Sequence, residues 1–141
     1  MDNLFGSLTP NELSESLGNI TVQGVYKALK SKKIDTITAG NRRKYVPPLG
    51  VKQLLQERGY VYPTENISFQ VVKGGVGKTS LSFSLAVRSS HYGAKILAID
   101  FDQQSNLTRS FNVDAREHPV WINIVRDGVK SQDAIIKISD T

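Results

Sequence analysis

"VVKGGVGKTS", Val71 to Ser80, is the stretch on which the reading of this chain turns. Gly74, Gly75 and Gly77 crowd together and run straight into Lys78, Thr79 and Ser80. Ahead of them "ISFQVV" is an apolar, β-branched run of strand length. Behind them "KTSLSFSLAVRSSHY" continues in helical period, with Leu81, Leu85 and Ala86 expected inward and Gly93 as terminator. Strand, glycine loop, helix is the context that a phosphate-binding loop requires. Glycines take positive φ angles without a steric penalty, so successive N–H groups can converge on an anion, and the helix N-terminus adds its dipole. In this reading the backbone of Gly74, Gly75, Val76, Gly77, Lys78, Thr79 and Ser80 cradles phosphates. Lys78 reaches the β and γ phosphates, and the Thr79 hydroxyl ligates Mg²⁺. One position departs from the common pattern G-x-x-x-x-G-K-[ST]: its first glycine is Val72 here. The bland alternative is a plain glycine turn before a helix.

Downstream, "AKILAID" (residues 94–100) is a continuous apolar run, as expected for a strand buried on both faces of a parallel sheet. It ends in "DFDQQSNLT", residues 100–108, which would put Asp100 and Asp102 at a strand C-terminus, where open α/β sheets bind ligands.

"KGGVGKTS", residues 73–80, matches the deviant Walker A motif of the ParA/MinD superfamily of ATPases, K-G-G-x-G-K-[ST]-[ST], at every position. "DFDQQSNLT" resembles the same family's D-x-D-P-Q-G-N-x-[ST] segment, with Gln103 in place of proline and Ser105 in place of glycine. The resemblance implies ATP and Mg²⁺ as ligands and an ATP-dependent homodimer that sandwiches two ATP molecules. Lys73 would then reach across to the partner's phosphates, a cation from outside the loop acting like an arginine finger. It also implies that Asp102 orients the attacking water and that Asp100 sits near Mg²⁺ through water. The catalytic set would be Lys73, Lys78 and Asp102. Domains of that family run well past this length, and their Walker B acid comes later; Asp140 lies too near the 100–108 segment to serve. The expectation is therefore an N-terminal portion, truncated before Walker B. It would hold the opening of a parallel sheet, "VWINIVRDG" as a helix and the final apolar run as a strand.

The region before the loop reads differently. Thr9, Pro10 and Glu12 form a helix-start signature, with Leu13 and Leu17 on one face and Gly18 as a left-handed end. Thr21 caps a second helix whose Val22, Val25 and Leu29 share a face, while Gln23, Lys27 and Lys30 occupy another. "IDTITAGNRRKYV" then turns at Ala39-Gly40-Asn41 and returns with Arg42, Arg43 and Lys44, a small hairpin. A third helix carries Val51, Leu54 and Leu55 and stops at Gly59. Two short helices, a basic hairpin and a further helix resemble the MerR-like winged helix-turn-helix. That resemblance implies DNA as a partner; a three-helix module that touches no DNA is the other reading. Lys27, Lys30, Arg42, Arg43 and Lys44 would neutralise phosphates, while Gln23 and Tyr26 would reach base edges.

The charge follows this division. The net charge is +5; residues 1–60 hold nine Lys and Arg against five Asp and Glu, and residues 61–141 nine against eight. A basic first part beside a near-neutral remainder suits an anionic partner. There is no cysteine, which removes disulfides and thiolate metal sites. "MDNLFGSLTP" has neither the basic start nor the apolar core of a signal peptide, and no apolar run approaches a bilayer span. No basic amphipathic tail points to a membrane. His91 and His118 lack matching ligands, and Trp121 reads as a packing residue.

The expected architecture is thus α/β: an incomplete P-loop parallel sheet (67–141), preceded by a mostly helical winged helix-turn-helix (1–60) and a linker (61–66). A helix-turn-helix ahead of a ParA-like ATPase resembles the larger plasmid and chromosome partition ATPases. That implies a centromere-binding ParB-like partner and a cytoplasmic, nucleoid- or plasmid-associated protein. The alternative is a truncated DNA-binding repressor without ATPase activity. A further enzyme of the same fold with another substrate, nitrogenase-like or amidating, is disfavoured by the helix-turn-helix.

Overall fold

The structure, a computed structural model, describes residues 4, 6–18, 20–40, 42–70 and 73–139. The chain divides into two compact units: Met1–Asn66 with Val87–Ile96, and Ile67–Ala86 with Leu97–Asp140.

The first unit is built from helices α1 (Pro10–Ser16), α2 (Val22–Ser31) and α3 (Pro48–Glu57) around the hairpin β1 (Ile37–Ala39) and β2 (Arg43–Tyr45). Local chemistry sets its helix starts. The Thr9 hydroxyl accepts the Glu12 N–H at 3.3 Å, and the Glu12 carboxylate accepts the Thr9 N–H at 2.7 Å, a reciprocal capping box. Those Thr9 bonds lower the Glu12 pKa, with smaller help from Arg88 and His91 and against a small burial cost. Thr21 caps α2 through the Gly24 N–H at 3.1 Å. The hairpin pairs Ile37 with Tyr45, Thr38 with Lys44 and Ala39 with Arg43, and Leu8 bridges Val46 beyond it. Leu8, Leu13, Leu17, Val25, Leu29, Val46, Val51 and Leu54 form the core.

Residues 87–96 belong to this core as well. Tyr92 packs against it, shares a 3.1 Å hydrogen bond with the Ser16 hydroxyl, and accepts a bond from Arg88 at 2.9 Å. The Tyr62 hydroxyl donates to the Tyr92 carbonyl. Gly93, at φ +77°, lies so close to α3 that a Cβ there would stand 2.5 Å from the Pro48 carbonyl oxygen. Only glycine satisfies both the angle and the gap.

The second unit contains α5 (Asn106–Ser110) and α6 (Trp121–Asp127), and α4 (Lys78–His91) begins in it. α6, expected as a helix from "VWINIVRDG", ends on Gly128 in the left-handed conformation. Phe83 meets Phe111 with ring centroids 4.9 Å apart, and Phe101 meets Trp121 at 5.7 Å. Every buried hydrophobic side chain among the described residues nevertheless lies in the first unit.

The small antiparallel hairpin is the sheet that the described residues form; the parallel sheet expected from sequence is not among them. Residues 67–70 and 94–101 carry no ladder, and neither does the final run from 135 to 139. Ile67, Ile96, Leu97, Ile99 and Phe101 are exposed, and so are Leu81 and Leu85, which were expected inward on α4. The reason is physical. A doubly buried strand requires paired edges and a layer on each face, and no described segment supplies them to these runs. Val71 and Val72 at the end of the first run, Asn41 in the hairpin turn, and Asp140 lie outside the described residues.

Candidate functional site

The glycine loop spans Lys73 to Gly77 and leads into α4, whose first residue is Lys78. Gly75 at φ +72° and Gly77 at φ +82° use the left-handed region, whereas Gly74 does not. None of the three has an atom within 4 Å of where a Cβ would stand, so these positions face open space. The backbone thus turns twice immediately before a helix N-terminus, a geometry that directs N–H groups outward toward an anion. Lys78 bends back over the loop, its ammonium donating to the Lys73 carbonyl at 3.4 Å. That long, neutral contact is a weak partner for an ammonium, and a charged oxygen would be a stronger one. Thr79 is half-buried in the first turn, with Ser80 and Val76 exposed beside it.

The second element is the loop from Asp100 to Thr108. Asp100 accepts hydrogen bonds from the Thr108 amide at 3.0 Å, the Thr108 hydroxyl at 2.9 Å and the Asp102 amide at 3.1 Å. Asp102 accepts the Gln104 amide at 2.9 Å, and its carbonyl accepts the Ser105 N–H at 2.8 Å. Ser105, where the family pattern has glycine, adopts φ +51° and leads into α5. Arg109 donates to the Gln104 carbonyl.

Among the described residues no group of three or more His, Cys, Asp or Glu could hold a metal ion. A hydroxyl at Thr79 and a carboxylate at Asp100 are hard oxygen donors of the kind Mg²⁺ takes. Mg²⁺ characteristically adds substrate phosphates to one or two such protein groups. The residues present fit that ion as a companion of a bound phosphate.

On the first unit, Gln23, Lys27 and Lys30 recur at helical spacing on α2 and are exposed, as are Arg42, Arg43 and Lys44 on the hairpin. The structure brings two of them together: Lys30 and Lys44 line an open cleft of about 400 Å³, with Tyr26, Leu29, Lys33, Ile34, Asp35 and Thr36. Lys44 stands 5.8 Å from the Tyr26 ring centroid, a cation–π contact from β2 to α2. Lys33 is a basic residue that sequence reasoning missed. It follows α2 at φ +53°, and only the folded chain turns it into the cleft. No helix among the described residues is long and apolar enough to cross a membrane.

Residues 64–140 match the model of a protein family described as an AAA domain. The chain is 38% identical over 68 residues to the cellulose biosynthesis protein BcsQ of Salmonella typhi, 48% of this chain and 27% of that protein. It is 42% identical over 66 residues to an uncharacterised ATP-binding protein of Methanocaldococcus jannaschii, 46% of this chain and 25% of the relative. A ParA family protein of Chlamydia pneumoniae is 32% identical over 78 residues, 55% of this chain and 31% of the relative. The matches thus span about a quarter to a third of the length of these relatives. No solved structure matches the chain.

Proposed function

The chain belongs to the AAA domain family, a membership that implies a P-loop NTPase fold, and on that premise we propose that it binds ATP as a ParA/MinD-type ATPase. The observation that carries this reading is the loop geometry. Gly75 and Gly77 turn at positive φ directly before α4, exposed and uncrowded, with the Lys78 ammonium folded back to the Lys73 carbonyl. An ATP-binding relative and a ParA family relative add support.

In this proposal the backbone from Gly74 to Ser80 holds the α and β phosphates, and Lys78 exchanges the Lys73 carbonyl for phosphate oxygens. Mg²⁺, when bound, neutralises charge that develops on the phosphates. Thr79 would offer its hydroxyl oxygen to that ion, and Asp100 would act on it through water. Asp102 orients the attacking water. Lys73 extends to the phosphates of a second protomer in an ATP-dependent homodimer. The basic face of α2 and the hairpin, Gln23, Lys27, Lys30, Arg42, Arg43 and Lys44, binds DNA, with the lysines and arginines on phosphates and Gln23 at base edges. The whole would serve plasmid or chromosome partition with a ParB-like, centromere-binding partner, on the nucleoid or a plasmid.

A second reading is favoured by one observation: every buried hydrophobic among the described residues lies in the first unit. On that reading the chain is a DNA-binding repressor without ATPase activity. One experiment separates the two: duplex-DNA affinity of the full chain at fixed salt, with and without Mg²⁺ and ATP, for wild type and Lys78→Ala. The ATPase reading expects ATP to shift DNA affinity in wild type and not in the variant. DNA binding indifferent to ATP in both supports the repressor.

A further inference from the structure

The 100–108 loop closes on a single carboxylate. Oδ2 of Asp100 takes two hydrogen bonds from one residue eight positions along, the Thr108 amide at 3.0 Å and the Thr108 hydroxyl at 2.9 Å. Oδ1 takes the Asp102 amide at 3.1 Å. An ionised carboxylate offers about four lone-pair sites, so the loop itself fills most of them. The segment between adds short-range bonds of its own to these. The Asp102 backbone is fixed by Asp100, the Asp102 carboxylate is turned onto the Gln104 amide, and the Ser105 N–H closes a turn on the Asp102 carbonyl.

We propose that Thr108 is a positioning residue that latches Asp100 into the loop, and that a divalent cation bound with nucleotide phosphates competes with Thr108 for Asp100, releasing the 102–108 turn. The competition rests on the ATP-site reading above; the latch does not. Bonds to an ionised carboxylate are charge-assisted and among the stronger ones available. Both donors to Oδ2 belong to Thr108, so a reorientation of Asp100 toward a cation's water shell gives up both together. The loop then has two discrete arrangements. A ligand shifts such an equilibrium only by its differential affinity for the two. Whatever the Thr108 hydroxyl adds to the latched form is therefore subtracted from cation binding, and the effect is reciprocal.

The test uses the full chain labelled with ¹⁵N, as wild type, Thr108→Val and Thr108→Ser. Valine keeps the shape and the amide but lacks the hydroxyl; serine retains the hydroxyl. Two quantities are read: hydrogen exchange at the Asp102 amide without ligand, and the Mg²⁺ concentration for half-saturation with a non-hydrolysable ATP analogue. Loss of one hydrogen bond to a charged acceptor in a half-exposed loop should speed exchange at Asp102 by about fivefold to tenfold in Thr108→Val. It should also lower the half-saturating Mg²⁺ by a similar factor, with Thr108→Ser behaving as wild type in both. Unchanged exchange in Thr108→Val overturns the latch. Weaker Mg²⁺ binding in that variant overturns the competition, because the pair would then be supporting the cation. If wild type fails to bind the analogue at all, the ATP-site reading and the competition fall together, and the exchange data still decide the latch.

Discussion

Gly74 separates the two uses a glycine can have. Gly75 and Gly77 stand at positive φ, where an alanine would be strained by roughly 1 kcal/mol whenever the loop holds those angles. Gly74 carries no such angle, and a Cβ there would meet nothing within 4 Å. Gly74→Ala should therefore leave stability within about 0.5 kcal/mol of wild type, as for an ordinary surface change. If a phosphate lies against this backbone, the added methyl group stands in its way, and ATP affinity should fall at least about tenfold, roughly 1.4 kcal/mol. Thermal unfolding and ATP titration of the same variant check both halves; undiminished ATP affinity would mean that phosphate does not approach Gly74. The glycine–lysine pattern made this loop legible in sequence because every feature of it is local. The Asp100–Thr108 pair was not, since a spacing of eight across a loop matches neither a helical nor a strand period.

At the scale of elements, the helices and the basic hairpin of the first unit form where the sequence places them, while the apolar runs expected as parallel strands do not pair, and the reason is where each finds its partners. Thr9 and Glu12 satisfy each other across three residues, so the start of α1 can be read without the rest of the chain. Thr9→Ala should cost about 1 kcal/mol of first-unit stability through loss of this cap, measured by denaturant unfolding followed on the helical signal. The same contact sets a pH dependence. The Glu12 carboxyl is held below its ordinary 4.5, chiefly by the Thr9 bonds, so folding favours its ionised form. Its contribution is present above about pH 4.5 and is lost as the pH falls through the lowered folded value. Glu12→Gln should therefore lower stability by a constant amount above about pH 4.5, with the deficit shrinking as the pH falls below it; an unchanged acid limb would refute the linkage. The run at 94–100 has no such local partner. Its apolar pattern states that it can be buried, while burial itself depends on neighbours, and Leu97 and Ile99 are exposed. Tyr92 errs in the opposite direction. Nothing around it in sequence signals a core position, yet it packs against the helical unit and bonds Ser16.

Over the whole molecule, charge and packing are both concentrated in the first unit. The excess of Lys and Arg within residues 1–60 acquires a shape only on folding, when Lys30, Lys33 and Lys44 come to line one cleft beside Tyr26. If that cleft meets phosphates, each lysine engaged releases counterions, and the logarithmic salt slope of DNA binding steepens by about 0.9 per contact. The double variant Lys30→Ala with Lys44→Ala should weaken duplex binding whatever the sequence and reduce the slope by roughly 1.8. A slope unchanged within error would move the DNA contact elsewhere. The family match over 64–140 lies almost wholly outside the residues that make this basic face, so the nucleotide and DNA proposals rest on separate observations. The nucleotide loop is the feature on which the proposed ATP binding depends most directly. The direct measurement is isothermal titration of the full chain with ATP in the presence of Mg²⁺, for wild type, Lys78→Ala and Lys44→Ala. Saturable binding is expected in wild type, with loss in Lys78→Ala and retention in Lys44→Ala. Equal binding in wild type and Lys78→Ala, or no binding in wild type, would contradict the proposed ATP binding.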